Sequence, residues 1–363
     1  MTRPTVTAMG HDGAFGHEQV TFCHDRATGL RAIVALYSTV LGPGLGGTRF
    51  YPYASADDAL EDVLHLSRAM AYKNSLAGLD HGGGKAVIIG DPRVDKTPDL
   101  LRAYGRFVQG LGGRYITAAD VGTYVQDMDV IAEVCEYVTG RSPARGGAGD
   151  SSVLTAFGVH QGMRAAAQHV WGDTSLAGKR IGIAGIGKVG RHLVGHAREE
   201  GAVVVATDVD AAALDWARRE APEVELVVDT KELLARPLDV YAPCALGGAL
   251  DDHVAATIDT AIVCGAANNQ LTDDHIDDVL AERGVVYCPD FLVNAGGVIQ
   301  VADERHGFDF ERAHAKTASI FDTLLDVLGT AADRGITPAE AADARAEERM
   351  GAAGDRIWTD LRR

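Results

Sequence analysis

Apolar and polar positions recur along this chain in two registers, one of period two and one near 3.6. Val20–His24 and Leu30–Tyr37 follow the first register and predict two strands, joined by the polar, glycine-ended turn Asp25–Gly29. Leu60, Val63, Leu64 and Met70 follow the second register and predict a helix running to about Lys73. Ser55-Ala56-Asp57-Asp58 opens that helix like a capping box, with Asp in place of Glu. Ala86–Ile89 reads as a short buried strand, and Leu41–Phe50 as a glycine-rich loop. Pro98–Leu111 predicts an amphipathic helix ended by Gly112-Gly113, and Tyr115–Ala118 a strand with Asp120 beyond it. A helix then begins near Tyr124.

Thr139–Ser152 (TGRSPARGGAGDSS) breaks both periods and predicts a linker and hinge. Beyond the helix Ser151–His169 the pattern turns regular. Strands at Lys179–Ala184, Ala202–Thr207, Leu238–Tyr241, Thr260–Val263 and Val285–Tyr287 alternate with helices at Val189–Glu200, near Asp251 and at Asp273–Arg283. Such alternation predicts a doubly wound parallel sheet. Another helix opens at Asn294, and Phe310–Arg363 is helical but interrupted at Gly335–Pro338. The fold class is therefore α/β in two domains, 1–144 and 145–335. The first half of 310–363 is expected to bridge back toward the first domain, and a terminal helix at about 336–363 to return to it. Met1–Gly16 is expected to be a loose tail.

Composition narrows the function. The 363 residues carry a net charge of −17, which argues against nucleic acid and anionic membrane as partners. No apolar run is long enough to span a bilayer, and no leader pattern opens the chain. Cys23, Cys135, Cys244, Cys264 and Cys288 are scattered, which predicts reduced thiols in a cytoplasmic protein. No cluster has metal-ligand spacing, and His81 stands alone, so no metal is expected.

The candidate chemistry falls in two places. Gly185-Ile186-Gly187-Lys188-Val189-Gly190 lies between a strand and a helix, and Asp208 ends the next strand eighteen residues after Gly190. That is the dinucleotide fingerprint in its required context, the mark of a Rossmann domain. The glycines let the pyrophosphate approach the helix N-terminus, and Asp208 suits a ribose and repels a 2′-phosphate, which predicts NAD. The second place is Lys73 and Lys85, with Gly82-Gly83-Gly84 directly before the latter. Read as a turn with φ > 0, this run places Lys85 at the entry to a sheet. There, desolvation and a second cation would lower its pKa toward neutrality. Two surface lysines beside a turn is the other reading. Gly46 and Gly47 could offer free N–H groups to a carboxylate, or form a plain loop. Asp120, at the carboxyl end of a strand, is placed as catalytic acids are, or caps the following helix. Asn268, after a strand, could meet nicotinamide or substrate, or serve as a turn amide.

LGGTRF at 45–50, YKNSLAGLDHGGGKAVI at 72–88, AADVGT at 118–123 and GIGKVG with its NNQ and NAGGVI companions together carry a resemblance. The chain resembles the glutamate/leucine/phenylalanine/valine dehydrogenase family over nearly its full length, most strongly the valine-acting actinobacterial members. The resemblance implies reversible oxidative deamination of L-amino acids to 2-oxo acids and ammonia, with NAD accepting hydride as two domains close on a cleft. It implies that Lys73 and the amides of Gly46 and Gly47 bind the substrate carboxylate. Lys85 becomes the general acid/base acting through water, and Asp120 handles protons on the substrate nitrogen. Asn268 orients substrate and nicotinamide, and Thr155, with Ser152 just before it, contacts the carboxamide. Glutamate-type relatives carry a lysine where Leu45 stands and a serine where Val301 stands. A pocket of Leu45, Ala118, Val298 and Val301 would bury a distal carboxylate unpaired, a severe cost. Aliphatic substrates are thus expected, valine first, with phenylalanine or leucine as alternatives. Homo-oligomers assembled through the first domain, 1–144, are implied as well. A non-catalytic NAD-binding sensor is the competing class; the intact Lys73, Lys85 and Asp120 speak against it.

Overall fold

The computed structural model describes residues 16–353. The tail expected over Met1–Gly16 lies, except for Gly16, outside the described residues, as does the expected terminal helix beyond residue 353. The chain divides into two units. The first comprises Met1–Asp150, Val301–Asp309 and Glu347–Arg363; the second comprises Ser151–Gln300 and Phe310–Ala346.

The first unit is built on β1 (Gln19–Asp25), β2 (Leu30–Ser38), β3 (Gly44–Tyr51), β4 (Gly82–Ile89) and β5 (Tyr115–Ala119), in the order β1-β2-β4-β3-β5. β1, β2 and β4 run antiparallel; β4, β3 and β5 run parallel. Helix α1 (Ala56–Leu76) covers one face, where Ile33, Ala35 and Val87 meet Ala59 and Val63. Helices α2 (Pro98–Gly110) and α3 (Val125–Ile131) cover the other, where Ala32, Val34 and Ile88 meet Tyr104 and Met128. Burial on both faces explains why β2 reads as a continuous apolar run.

Two expectations are corrected here. Leu41–Phe50 is not all loop: Gly44 onward is strand β3, paired on both sides between β4 and β5. Gly82-Gly83-Gly84 is not a turn either; it begins β4, and none of the three has positive φ. What these positions need is the absence of a side chain. A Cβ on Gly83 would lie 2.4 Å from Ser67 O and 2.5 Å from Ala71 Cβ, so α1 packs directly on the strand.

The second unit holds α4 (Ser152–Trp171), β6 (Arg180–Ala184), α5 (Lys188–Glu199), β7 (Val203–Thr207), α6 (Ala211–Glu220) and β8 (Glu225–Leu226). It continues with α7 (Thr230–Leu234), β9 (Val240–Pro243), α8 (Asp252–Thr257), β10 (Ile262–Val263), α9 (His275–Glu282) and β11 (Val286–Tyr287). All six strands are parallel, in the order β11-β10-β9-β6-β7-β8. Order reverses on either side of β6, the doubly wound arrangement whose crevice takes dinucleotides. Helices α10 (Asp290–Val293), α11 (Gly296–Asp303), α12 (Phe310–Ala318), α13 (Ile320–Arg334) and α14 (Pro338–Ala352) complete the chain.

The chain passes from the first unit to the second at Asp150–Ser151. Residues 140–148 belong to the first because buried Glu304 gathers them. Its carboxylate accepts Gly140 N at 2.7 Å, Ala148 N at 2.9 Å and Arg141 Nε at 2.7 Å. The first half of 310–363, expected to bridge to the first domain, instead belongs to the second unit through Ala346. Only from Glu347 does the chain join the first, where Glu347 accepts the Tyr72 hydroxyl and Arg349 donates to Ser75 O and Leu79 O.

Candidate active site

Lys85 lies in mid-β4 with its side chain 6% exposed, and its ammonium is paired with Asp120 Oδ2. Asp120 follows β5, two strands away in the sheet, with β3 between. Glycine makes that reach possible. A Cβ on Gly47 would sit 2.8 Å from Asp120 Cβ, and one on Gly46 1.9 Å from Gly84 O. Bare backbone in β3 thus lets the Lys85 and Asp120 side chains meet. Gly46 and Gly47 register with Thr117 and Ala118 of β5 rather than standing in an open loop.

The second oxygen of Asp120 is also engaged. Oδ1 accepts Arg49 Nε at 3.2 Å and Val121 N at 2.7 Å. Burial alone would push the carboxyl up, but Lys85 and then Arg49 outweigh it and hold the group down at about 2. Asp120 is therefore ionised at neutral pH. The sequence suggests a second cation beside Lys85; the structure gives it a carboxylate partner. Lys73 is half-buried in the last turn of α1, where a cation suits the helix dipole. The next residue, Asn74, is fully buried and donates to Leu45 O at 3.1 Å and Gly82 O at 2.7 Å, tying α1 to β3 and β4.

Of the expected side-chain pocket, Leu45, Ala118 and Val301 fall in the first unit and Val298 in the second. Leu45 is fully buried and Ala118 nearly so; Val298 and Val301 are half-buried. Val301 is fixed through its carbonyl, which accepts Thr139 Oγ1 at 2.5 Å.

In the second unit the glycine turn has the form the sequence predicts. Gly185 has φ +109°, and Gly187 caps α5 with no heavy atom near its missing side chain. A Cβ on Gly190 would lie 2.0 Å from Gly185 O, so helix and turn touch there. Lys188 is exposed and Val189 half-buried on the first turn of α5. Asp208 stands at the end of β7 and steadies the turn itself: Oδ2 accepts Ile186 N at 2.5 Å and Oδ1 accepts Asp210 N at 2.8 Å. Asn268 is exposed after β10, with its Oδ1 accepting Asn294 Nδ2 at 2.8 Å. Asn294 Nδ2 also donates to Ala266 O at 3.2 Å, which fixes the orientation of both amides. Ser152 and Thr155 lie in the first turn of α4, and Gly296 and Gly297 approach that turn closely.

Sequence reasoning missed Arg49, Asn74 and Asp62 as working residues, although Arg49 and Asn74 stand inside the motifs at 45–50 and 72–88. The signal was present for Arg49: it is the one charged residue of Leu45–Phe50, and a charge carried into a buried layer needs a partner. All five cysteines are free, and the described residues hold no group of three or more His, Cys, Asp and Glu fit for a metal. No described helix is long and apolar enough to cross a membrane.

A lysine–carboxylate pair in one unit and a dinucleotide-type turn in the other define an oxidoreductase of the amino-acid dehydrogenase class. Two family models match: Glu/Leu/Phe/Val dehydrogenase, dimerisation domain, over residues 17–137, and Glutamate/Leucine/Phenylalanine/Valine dehydrogenase over 209–307. The chain belongs to the Glu/Leu/Phe/Val dehydrogenase family. It is 60% identical to a valine dehydrogenase of Streptomyces virginiae, over 94% of this chain and 95% of that protein. It is 46% identical to a leucine dehydrogenase of Bacillus cereus, over 96% of this chain and 94% of that one. Among solved structures, L-tryptophan dehydrogenase from Nostoc punctiforme aligns with a TM-score of 0.83 at 38% identity, covering 96% of this chain and 98% of its own.

Proposed function

We propose that this chain is an NAD-dependent dehydrogenase of L-valine and other branched-chain or aliphatic L-amino acids, yielding the 2-oxo acid and ammonia. The observation that carries the reading is the buried Lys85–Asp120 pair, set in a chain 60% identical to a valine dehydrogenase. Lys73 and the amides of Gly46 and Gly47 hold the substrate carboxylate. Asp120, ionised at neutral pH, takes the proton from the substrate ammonium, since hydride leaves Cα only when the amine is neutral. When bound, NAD would supply the hydride acceptor, and loss of the hydride would turn the substrate into its 2-imino acid. Lys85 serves as a base only as the neutral amine: in that form it takes a proton from the water that attacks the imine, becoming the ammonium, and Asp120, carrying the proton it took from the substrate, protonates the departing nitrogen. An amine and a carboxylate serve these opposite transfers.

The open face at Gly187 and the tight Gly185–Gly190 contact fit a bound pyrophosphate. Ile186, Lys188 and Val189 line the same turn; Thr155, Ser152 and Asn268 hold the carboxamide end. Asp208 is a fixed carboxylate at the ribose position, which favours NAD over NADP. Leu45 and Ala118 of the first unit are apolar and buried, so a glutamate carboxylate brought against them would lack a partner, which disfavours glutamate. The enzyme works as a homo-oligomer joined through its first unit, in the cytoplasm, where its thiols stay reduced.

The test is a panel of L-amino and 2-oxo acids with NAD and NADP. The highest kcat/KM is expected for valine with NAD; glutamate or phenylalanine in first place refutes the substrate. Lys85→Ala retains NAD binding and loses turnover by a factor on the order of a thousand or more.

A further inference from the structure

Behind the Lys85–Asp120 pair lies a second charged layer that the mechanism above leaves unused. Arg49 on β3 reaches two acids at once: Nε donates to Asp120 Oδ1 at 3.2 Å, and Nη1 to Asp62 Oδ1 and Oδ2 at 3.1 and 2.9 Å. Asp62 comes from α1, and its Oδ2 also accepts the Tyr53 hydroxyl. The side chains of Arg49, Asp62 and Asp120 are 23%, 26% and 17% exposed, so their charges act across little water.

We propose that Arg49 is a positioning residue for Asp120: anchored by Asp62 and Tyr53, it holds Oδ1 and leaves Oδ2, the oxygen facing Lys85, to exchange protons. The inference rests on the reading of Lys85 and Asp120 as the proton-handling pair. Two N–H groups, from Arg49 and Val121, occupy Oδ1 and fix the plane of the carboxylate. A guanidinium presents its donors in a planar fork and can serve two carboxylates together; an ammonium, a point charge, cannot hold both with the same geometry. Asp62 balances the added cation, so Lys85, Arg49, Asp120 and Asp62 sum to no net charge. The charged and titratable groups facing Asp120 are Lys85 from β4, Arg49 from β3 and Tyr115 from β5, with Asp62 of α1 acting through Arg49. Asp120 held down at about 2 agrees with this arrangement.

Arg49→Gln, Arg49→Lys and Asp62→Asn in the full chain test the proposal. Arg49→Gln is expected to lower kcat on the order of a hundredfold, the cost of a misplaced catalytic group, with KM nearly unchanged. Losing the cation also raises the Asp120 carboxyl by about 1–2 pH units, read by carbon-13 NMR with Asp120→Asn as the assignment. Arg49→Lys recovers part of kcat, and Asp62→Asn, which only unanchors the guanidinium, loses less than Arg49→Gln. An Asp120 titration in Arg49→Gln that matches the wild type overturns the proposal, as does a loss confined to KM. Should Arg49→Gln fail to fold, the other two variants carry the same readouts. If Lys85→Ala and Asp120→Asn keep turnover, the proton-pair reading fails, while the NMR arm still decides whether Arg49 governs Asp120.

Discussion

Each unit carries a cluster of three glycines: Gly82, Gly83 and Gly84 in the first, Gly185, Gly187 and Gly190 in the other. The clusters resemble one another in sequence and are needed for different reasons. The first three glycines have ordinary strand backbones, and each missing side chain is filled by a neighbour. In the other set, Gly185 has a left-handed φ, Gly190 touches the turn, and Gly187 faces empty space. One cluster lets helix and sheet meet; the other shapes a turn and leaves an open face for a ligand. Glycine alone therefore says little until its neighbours are known.

The largest effect that could break this contrast is on stability at Gly83. Gly83→Ala is expected to destabilise by about 3 kcal/mol through overpacking against α1, seen as a lower Tm. A melt matching the wild type would mean the strand tolerates a side chain there, and the close-approach account would fall.

The acids extend the comparison: Asp120 is held by two cations, whereas Asp208 is held by backbone N–H groups. Asp120 titrates at about 2 in the fold against an ordinary 3.8, so its charge stabilises the folded state above the ordinary value. That contribution, about 2 kcal/mol, is lost as pH falls from about 4 toward 2. Denaturant unfolding of Asp120→Asn should lie below the wild type near neutral pH, with the gap narrowing through that window. A gap independent of pH would separate the ion pair from the stability.

The smallest change sharpens the other side. Gly187 has φ −73° and an unoccupied Cβ position, so Gly187→Ala should leave stability within about 0.5 kcal/mol. The new methyl stands where the pyrophosphate is expected, and NAD affinity by calorimetry should fall about tenfold. An equal drop in Tm and unchanged affinity would assign Gly187 a packing role like that of Gly83.

The same contrast explains what could be read in advance. Gly185–Gly190 and Asp208 lie within one strand–turn–helix–strand unit, so local spacing was enough to find them. Lys85 and Asp120 are 35 residues apart and meet only because β3 enters the sheet between their strands with no side chains at Gly46 and Gly47. The resemblance gave each residue a proton-handling role, but neither it nor periodicity paired them; the ion pair comes from the fold. Arg49 escaped for the same reason, since its partners come from α1 and from beyond β5. The two-residue strands β8, β10 and β11 carry too few positions for alternation to fix their limits. Helix α6 is short and buries only Ala213 and Ala217, so no large apolar residue marks its inner face.

Glu304 has a consequence for anyone who recombines these enzymes. It sits in 301–309, far along the chain, yet three donors from residues 140–148 converge on its buried carboxylate. A chimera spliced cleanly at residue 150 would therefore make those donors depend on whatever residue the incoming segment carries in place of Glu304. The exchangeable module is discontinuous: the later segment has to travel with the earlier one, or the graft loses its own clasp.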